Sequence, residues 1–214
     1  MKKLFLKILA IYTLILLPQV PFSIAFLLDE EILDTSLITT GTWAQESVII
    51  NEVMWMGSSV SDRDEWIELR NLSNQEVDIS HWKLYGAVAV YNGHLEIPAK
   101  QSIAPNGLYL IANKYETDKT SNLNTQVNLR STSINLDDNY FINGPLILKN
   151  RNNMEIDRTP VQTTWPAGLN AETKHSMQRD PELNWYSCTN LLCASVTFWD
   201  IVSQDYGTPG AENL

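Results

Sequence analysis

An all-β domain, an antiparallel sandwich or barrel, is what this sequence predicts past residue 46. Three observations point to it. Short runs rich in β-branched and aromatic residues recur at spacings of about ten residues. Asn-Gly turn signals stand among them at Asn92-Gly93, Asn106-Gly107 and Asn143-Gly144. No stretch there sustains a capped helical period, so helical crossovers between strands are not expected.

The strands follow in order. Val48-Ile49-Ile50-Asn51-Glu52-Val53-Met54-Trp55 is the first, dense in β-branched residues. Residues 57–64 form a polar loop. Residues 65–71 alternate, with Glu65, Ile67 and Leu69 on one face and Trp66, Glu68 and Arg70 on the other. Neither face is purely apolar. Ser73-Asn74-Gln75 is turn chemistry, and residues 82–85 form the next strand. Leu108-Tyr109-Leu110-Ile111 is a continuous apolar strand. Leu146-Ile147-Leu148 and Met154-Glu155-Ile156 flank a polar tip and make a hairpin. Val196-Thr197-Phe198-Trp199 is read as a late strand, and residues 113–132 as a long loop.

The start of the chain reads as a targeting segment. Met1-Lys2-Lys3 is a short positive region, residues 8–17 are apolar, and Pro18 and Pro21 end any helix. Ser23-Ile24-Ala25 puts small residues where a signal peptidase reads them. Residues 1–25 are therefore expected to be a signal peptide, with a retained N-terminal anchor as the alternative. The apolar run is shorter than the roughly 20 residues of a membrane-spanning helix. Residues 26–46, with Trp43 in them, read as a spacer, and residues 47–214 as the folded domain.

Composition narrows the partners. Of the 214 residues 44 % are hydrophobic, with 7 Trp and 8 Tyr, enough for a real core. Net charge is −10; without the leader, 12 basic face 25 acidic residues and the charge is −13. Such a chain repels phosphate backbones, so nucleic acid is not an expected partner. Membrane contact is expected only through an uncleaved N-terminal segment.

Few residues carry chemistry. Cys188 and Cys193 are the only cysteines. In an oxidising compartment they form a disulfide whose small loop stabilises by roughly 2 kcal/mol. His81, His94 and His175 lack metal-ligand spacing, and no Gly-x-Ser-x-Gly motif occurs. No metal or cofactor is expected. Glu52, Asp64, Glu65 and Glu68 form a carboxylate cluster in sequence. Paired acids can hydrolyse a glycosidic bond or bind calcium. The plainer expectation is a solvated strand edge, with Glu52 capping or pairing with Arg70 or Arg63. Asp137-Asp138-Asn139 is a second oxygen-rich spot. Most tryptophans should pack in the core. Trp165 and Trp185, in irregular context, are the candidates for an exposed platform that stacks on sugar rings or anchors a protein.

The order of several motifs carries a family resemblance. Ile50-Asn51-Glu52-Val53, then Asp64-Glu65-Trp66-Ile67-Glu68-Leu69-Arg70-Asn71, then Asp78-Ile79-Ser80-His81-Trp82 resembles the opening of a bacterial lamin-tail domain. Ile103-Ala104-Pro105-Asn106-Gly107-Leu108-Tyr109-Leu110, the later hairpin through Asp157, and Gly207-Thr208-Pro209-Gly210-Ala211-Glu212-Asn213 are similar to its middle and end. The resemblance implies an immunoglobulin-like β-sandwich and a non-catalytic module. It fits an exported domain that binds an envelope or extracellular protein or glycan. If the leader is cleaved where its small residues indicate, mass spectrometry of exported protein will find Phe26 at the N-terminus; an intact Met1 would indicate a retained anchor.

Overall fold

The computed structural model describes residues 47–90, 92–113, 121–136, 144–200 and 205–214. The expected leader and spacer, and Asp137-Asp138-Asn139, lie outside the described residues. Among those described, no helix is long and apolar enough to cross a membrane.

Strand β1 (Val48–Met54) is buried along its whole length. It lies at the middle of a six-stranded sheet with β2 (Trp66–Asn71), β7 (Leu108–Ala112), β8 (Leu129–Arg130), β13 (Met177–Arg179) and β14 (Trp185–Ser187). The order is β14-β13-β1-β2-β7-β8. A second sheet holds β4 (Lys83–Tyr85), β5 (His94–Glu96), β9 (Ile147–Lys149) and β10 (Glu155–Arg158), in the order β10-β9-β4-β5. Two small ribbons complete it, β3 (Val77–Asp78) with β6 (Ser102–Ile103) and β11 (Leu169–Asn170) with β12 (Lys174–His175). This is the immunoglobulin-like β-sandwich that the resemblance implies.

One face of the larger sheet supplies Ile50, Ile67 and Leu69 to a core shared with Leu84, Leu148 and Ile156 of the smaller sheet. Alternation sends Trp66 and Glu68 to the opposite face. That face is covered too, by irregular chain: Trp199 lies against Trp66 with ring centroids 6.0 Å apart, and Gly210 donates to Glu68. The mixed faces of β2 thus reflect two covers of different chemistry.

Between Ile50 and Glu52 the pairing of β1 with β2 shifts register. Asn51 is the extra residue of a β-bulge. Asp157 of β10 accepts the N–H of Ile50 at 2.8 Å, and Arg179 of β13 donates Nε to the Ile50 carbonyl at 3.1 Å. Arg179 and Asp157 also form an ion pair at 2.9 Å, with side chains only 10 % and 15 % exposed. The irregular backbone is thereby satisfied by a charged pair reaching over from its neighbours.

Several expected elements differ. Residues 196–199 are not a strand. Ser195 draws them into a turn, its carbonyl accepting from Phe198 and Trp199 and its hydroxyl from Thr197; Trp199 keeps one isolated bridge, to Leu123. The segment read as a long loop contains β8, which pairs parallel to β7. The Asn128 side chain makes this possible, because its Oδ1 accepts the Leu110 N–H at 2.8 Å while its own N–H donates to the Leu110 carbonyl. Asn106-Gly107 joins β6 to β7, strands of different sheets, rather than two partners of one hairpin. The strands from β11 to β14 were not anticipated from sequence. Asp157→Ala would leave the largely buried Arg179 guanidinium with carbonyl partners but no countercharge, and is expected to cost about 3 kcal/mol by urea unfolding.

Candidate functional site

Position in the fold decides the four acidic residues of the sequence cluster. All four are buried, with Glu52 and Glu68 wholly inaccessible. The expected solvated edge is therefore overturned, as is pairing of Glu52 with Arg70 or Arg63. Arg70 turns outward instead and pairs with the exposed Glu212 at 3.0 Å. The four acids also do not form one cluster; they serve two separate places.

Glu52 and Glu68 stand opposite each other on β1 and β2. Above them passes the C-terminal segment. Glu52 Oε1 accepts from the Thr208 N–H at 2.9 Å, from Ser176 Oγ at 2.5 Å and from Gln178 Nε2 at 2.9 Å. Its Oε2 accepts from Thr208 Oγ1 at 2.9 Å. Glu68 Oε2 accepts from the Gly210 N–H at 2.6 Å and its Oε1 from Asn51 Nδ2 at 2.9 Å. Asn213 then donates to the carbonyls of Asn51 and Arg179. Glycine is needed where the segment comes closest. A Cβ on Gly207 would lie 3.0 Å from Glu52 Oε1 and 3.1 Å from both Ser176 Oγ and Trp199.

Asp64 and Glu65 do analogous work at the start of β2. Asp64 accepts from Ser121 Oγ at 2.6 Å and from the Asn122 N–H at 2.7 Å. Asp205 accepts from the N–H and hydroxyl of Ser59 and from Asn122 Nδ2. Glu65 accepts from the Leu136 N–H at 2.7 Å. Asp64 and Glu65 thus satisfy buried N–H groups of irregular segments that would otherwise lack partners.

Burial sets the electrostatics. Desolvation pushes Glu52 up from the ordinary carboxylate range, against the hydrogen bonds that stabilise its charge. It raises Asp64 in the same way, and the charge of Asp205 adds to the rise. Glu68 is pushed up to about 8, first by burial and then by the charge of Glu52. Its bonding pattern, one donor to each oxygen, leaves room for a proton.

Trp165 and Trp185 do not form the expected platform. Trp165 is 7 % exposed and stacked on Trp55, with centroids 5.7 Å apart and planes 6° from parallel. Trp185 is half-buried, and the Arg179 guanidinium lies over its ring at 4.6 Å. Exposed apolar surface gathers elsewhere. Cys188 and Cys193 are joined by a disulfide. The turn it closes, a single 3-10 turn over Leu191–Ala194, presents Leu191 at 79 % and Leu192 at 64 % exposure, followed by Val196 at 57 %. Asn190 caps that turn by accepting the Leu192 N–H at 3.0 Å. The Cys193 carbonyl accepts from Trp199 Nε1 at 2.9 Å and from the Gly207 N–H at 3.1 Å. Leu191 and Leu192 carry no sequence signal of exposure, since a pair of leucines beside a cysteine fits a core as well as a surface. Ser176, Gln178 and Tyr186 were missed because nothing in their local sequence marks them.

The Glu68 shift gives stability a definite pH dependence. In the folded chain Glu68 keeps its proton up to about 8, against 4.5 ordinarily. Between those values the folded state binds a proton that the unfolded state has released, so stability is greatest below the window and falls as pH rises through it. Thermal melts from pH 5 to pH 8 should show a falling Tm, and Glu68→Gln should flatten the slope by an amount on the order of a few kcal/mol. An unchanged slope in Glu68→Gln would refute the assignment.

Comparison with known proteins gives one placement. No curated protein matches the chain. Residues 42–162 match the model of the Lamin Tail Domain family, more than half of the 214 residues. The match spans β1 to β10 and stops before β13, β14 and the C-terminal segment that complete the larger sheet. On that match, the chain belongs to the lamin tail domain family.

Proposed function

We propose that this chain is an exported, non-catalytic module that docks an extracellular or envelope protein through its disulfide-closed turn. The observation that carries the reading is the exposure of Leu191, Leu192 and Val196 on a turn held by a disulfide, an asparagine cap and the Cys193 carbonyl. Apolar side chains on a rigid support lose little entropy on docking, which favours their use as a contact.

Other features agree. The disulfide suits an oxidising, extracytoplasmic setting. The acids that could have served a hydrolase are buried and bonded to protein donors, which supports a binding role over catalysis. A protein partner is favoured over a glycan, because sugar recognition wants an open aromatic face and Trp165 and Trp185 are covered. The acidic surface disfavours nucleic acid.

The test is retention of envelope proteins on the immobilised domain. A Leu191→Asp/Leu192→Asp variant is expected to retain them roughly tenfold less well with Tm unchanged. Equal retention by the variant would remove the proposal.

A further inference from the structure

Gln178, Thr208, Glu52 and Tyr186 stand together in an order that suggests chemistry beyond hydrogen bonding. Gln178 and Thr208 come from β13 and the C-terminal segment, 30 residues apart. Both are completely buried, as is Glu52. Gln178 Nε2 donates to Thr208 Oγ1 at 2.7 Å. Thr208 Oγ1 donates to Glu52 Oε2 at 2.9 Å. On the other side of the amide, Tyr186 Oη lies 2.8 Å from Gln178 Oε1 and 2.9 Å from the Leu214 carbonyl, so its one proton is shared between the two acceptors. A hydroxyl beside a carboxylate, a carboxamide against that hydroxyl, and a phenol on the carboxamide oxygen are the parts of an acyl transfer.

We propose that Thr208 and Gln178 join in an intramolecular ester, formed once by the folded protein with release of ammonia. Glu52 Oε2 takes the hydroxyl proton as Thr208 Oγ1 attacks Cδ of Gln178. Negative charge collects on Gln178 Oε1, where Tyr186 Oη donates to it. The Cδ–Nε2 bond then breaks, Glu52 returns the proton to Nε2, and ammonia leaves. One C–O bond forms and one C–N bond breaks, with no oxidant or reductant required.

The surroundings fit each role. Three donors hold Glu52 Oε1, while Oε2 accepts only from Thr208 Oγ1, and burial raises the carboxyl's affinity for a proton against those bonds. Burial, then the charges of Glu52 and Asp180, push the Tyr186 phenol up, which keeps it a donor. Glu52 Oε1 already holds the Nε2 that must leave. Burial excludes the water that would hydrolyse the ester. The link would close β13 to the segment that covers the sheet and enclose the disulfide turn within the same loop. This inference stands apart from the docking proposal, since it concerns the buried face.

Peptide mapping of the folded protein, held at neutral pH, tests it without any substitution. Trypsin cuts after Lys174 and Arg179, and no Lys or Arg follows. The expected product is peptide 175–179 joined to peptide 180–214, lighter by one ammonia and severed by hydroxylamine. The two peptides recovered separately at full mass would overturn the proposal. Ammonia loss confined to a peptide holding Asn92, Asn106 or Asn143 would also overturn it, because Asn-Gly succinimides account for the same mass. Thr208→Val should abolish the link. In Tyr186→Phe, whose hydroxyl alone is lost, the link should accumulate roughly tenfold more slowly or worse; an unchanged rate would remove Tyr186 from the mechanism.

Discussion

Everything on the second face of the larger sheet depends on two glutamates that face each other across β1 and β2. A central strand buried on both sides needs two covers. The smaller sheet supplies one, with ordinary apolar packing. The other is the C-terminal segment, which has no regular ladder to offer and few large apolar side chains. Carboxylates solve that problem because one acid can accept several N–H and O–H groups from irregular backbone. Glu52 takes both the N–H and the hydroxyl of Thr208, and Glu68 takes the N–H of Gly210.

Burying two acids side by side is costly, and the arrangement shows how the cost is limited. Glu52 is surrounded by donors from two segments, residues 176–178 and Thr208, while Glu68 retains a proton into the neutral range. A fully bonded polar network of this kind favours one geometry, since every alternative leaves a buried group unmet. Specificity of closure, more than raw stability, is what such a network contributes.

The fold was largely legible in the sequence, and the reason is local. β1, β2, β7 and the β9–β10 hairpin are dense in β-branched or aromatic residues, and the motif order from Ile50 to Trp82 pointed to the family. What escaped was short or distant. Met177-Gln178-Arg179 is three residues with one apolar side chain, and only its pairing with β1 and β14 makes it a strand. The acids were misread because their environment comes from far along the chain: the Thr208 that covers Glu52 is 156 residues away. Alternation along β2 showed that Glu68 and Trp66 share a face, but not that the face would be roofed. Trp165 was misjudged for the same reason, since its partner Trp55 lies 110 positions earlier in the sequence.

Asn51 has a consequence out of proportion to its size. Side chains two apart on a regular strand point the same way, yet Ile50 enters the sandwich while Glu52 points to the tail. The additional residue is what shifts the phase. Excising it would join Ile50, which faces Leu69, directly to Glu52, which faces Glu68, so the alternation would run on unbroken and each side chain would keep its face. What the inserted position supplies is a loosened N–H and carbonyl at Ile50, taken up by Asp157 and Arg179, and a side-chain amide that ties Glu68 to Asn213 of the tail.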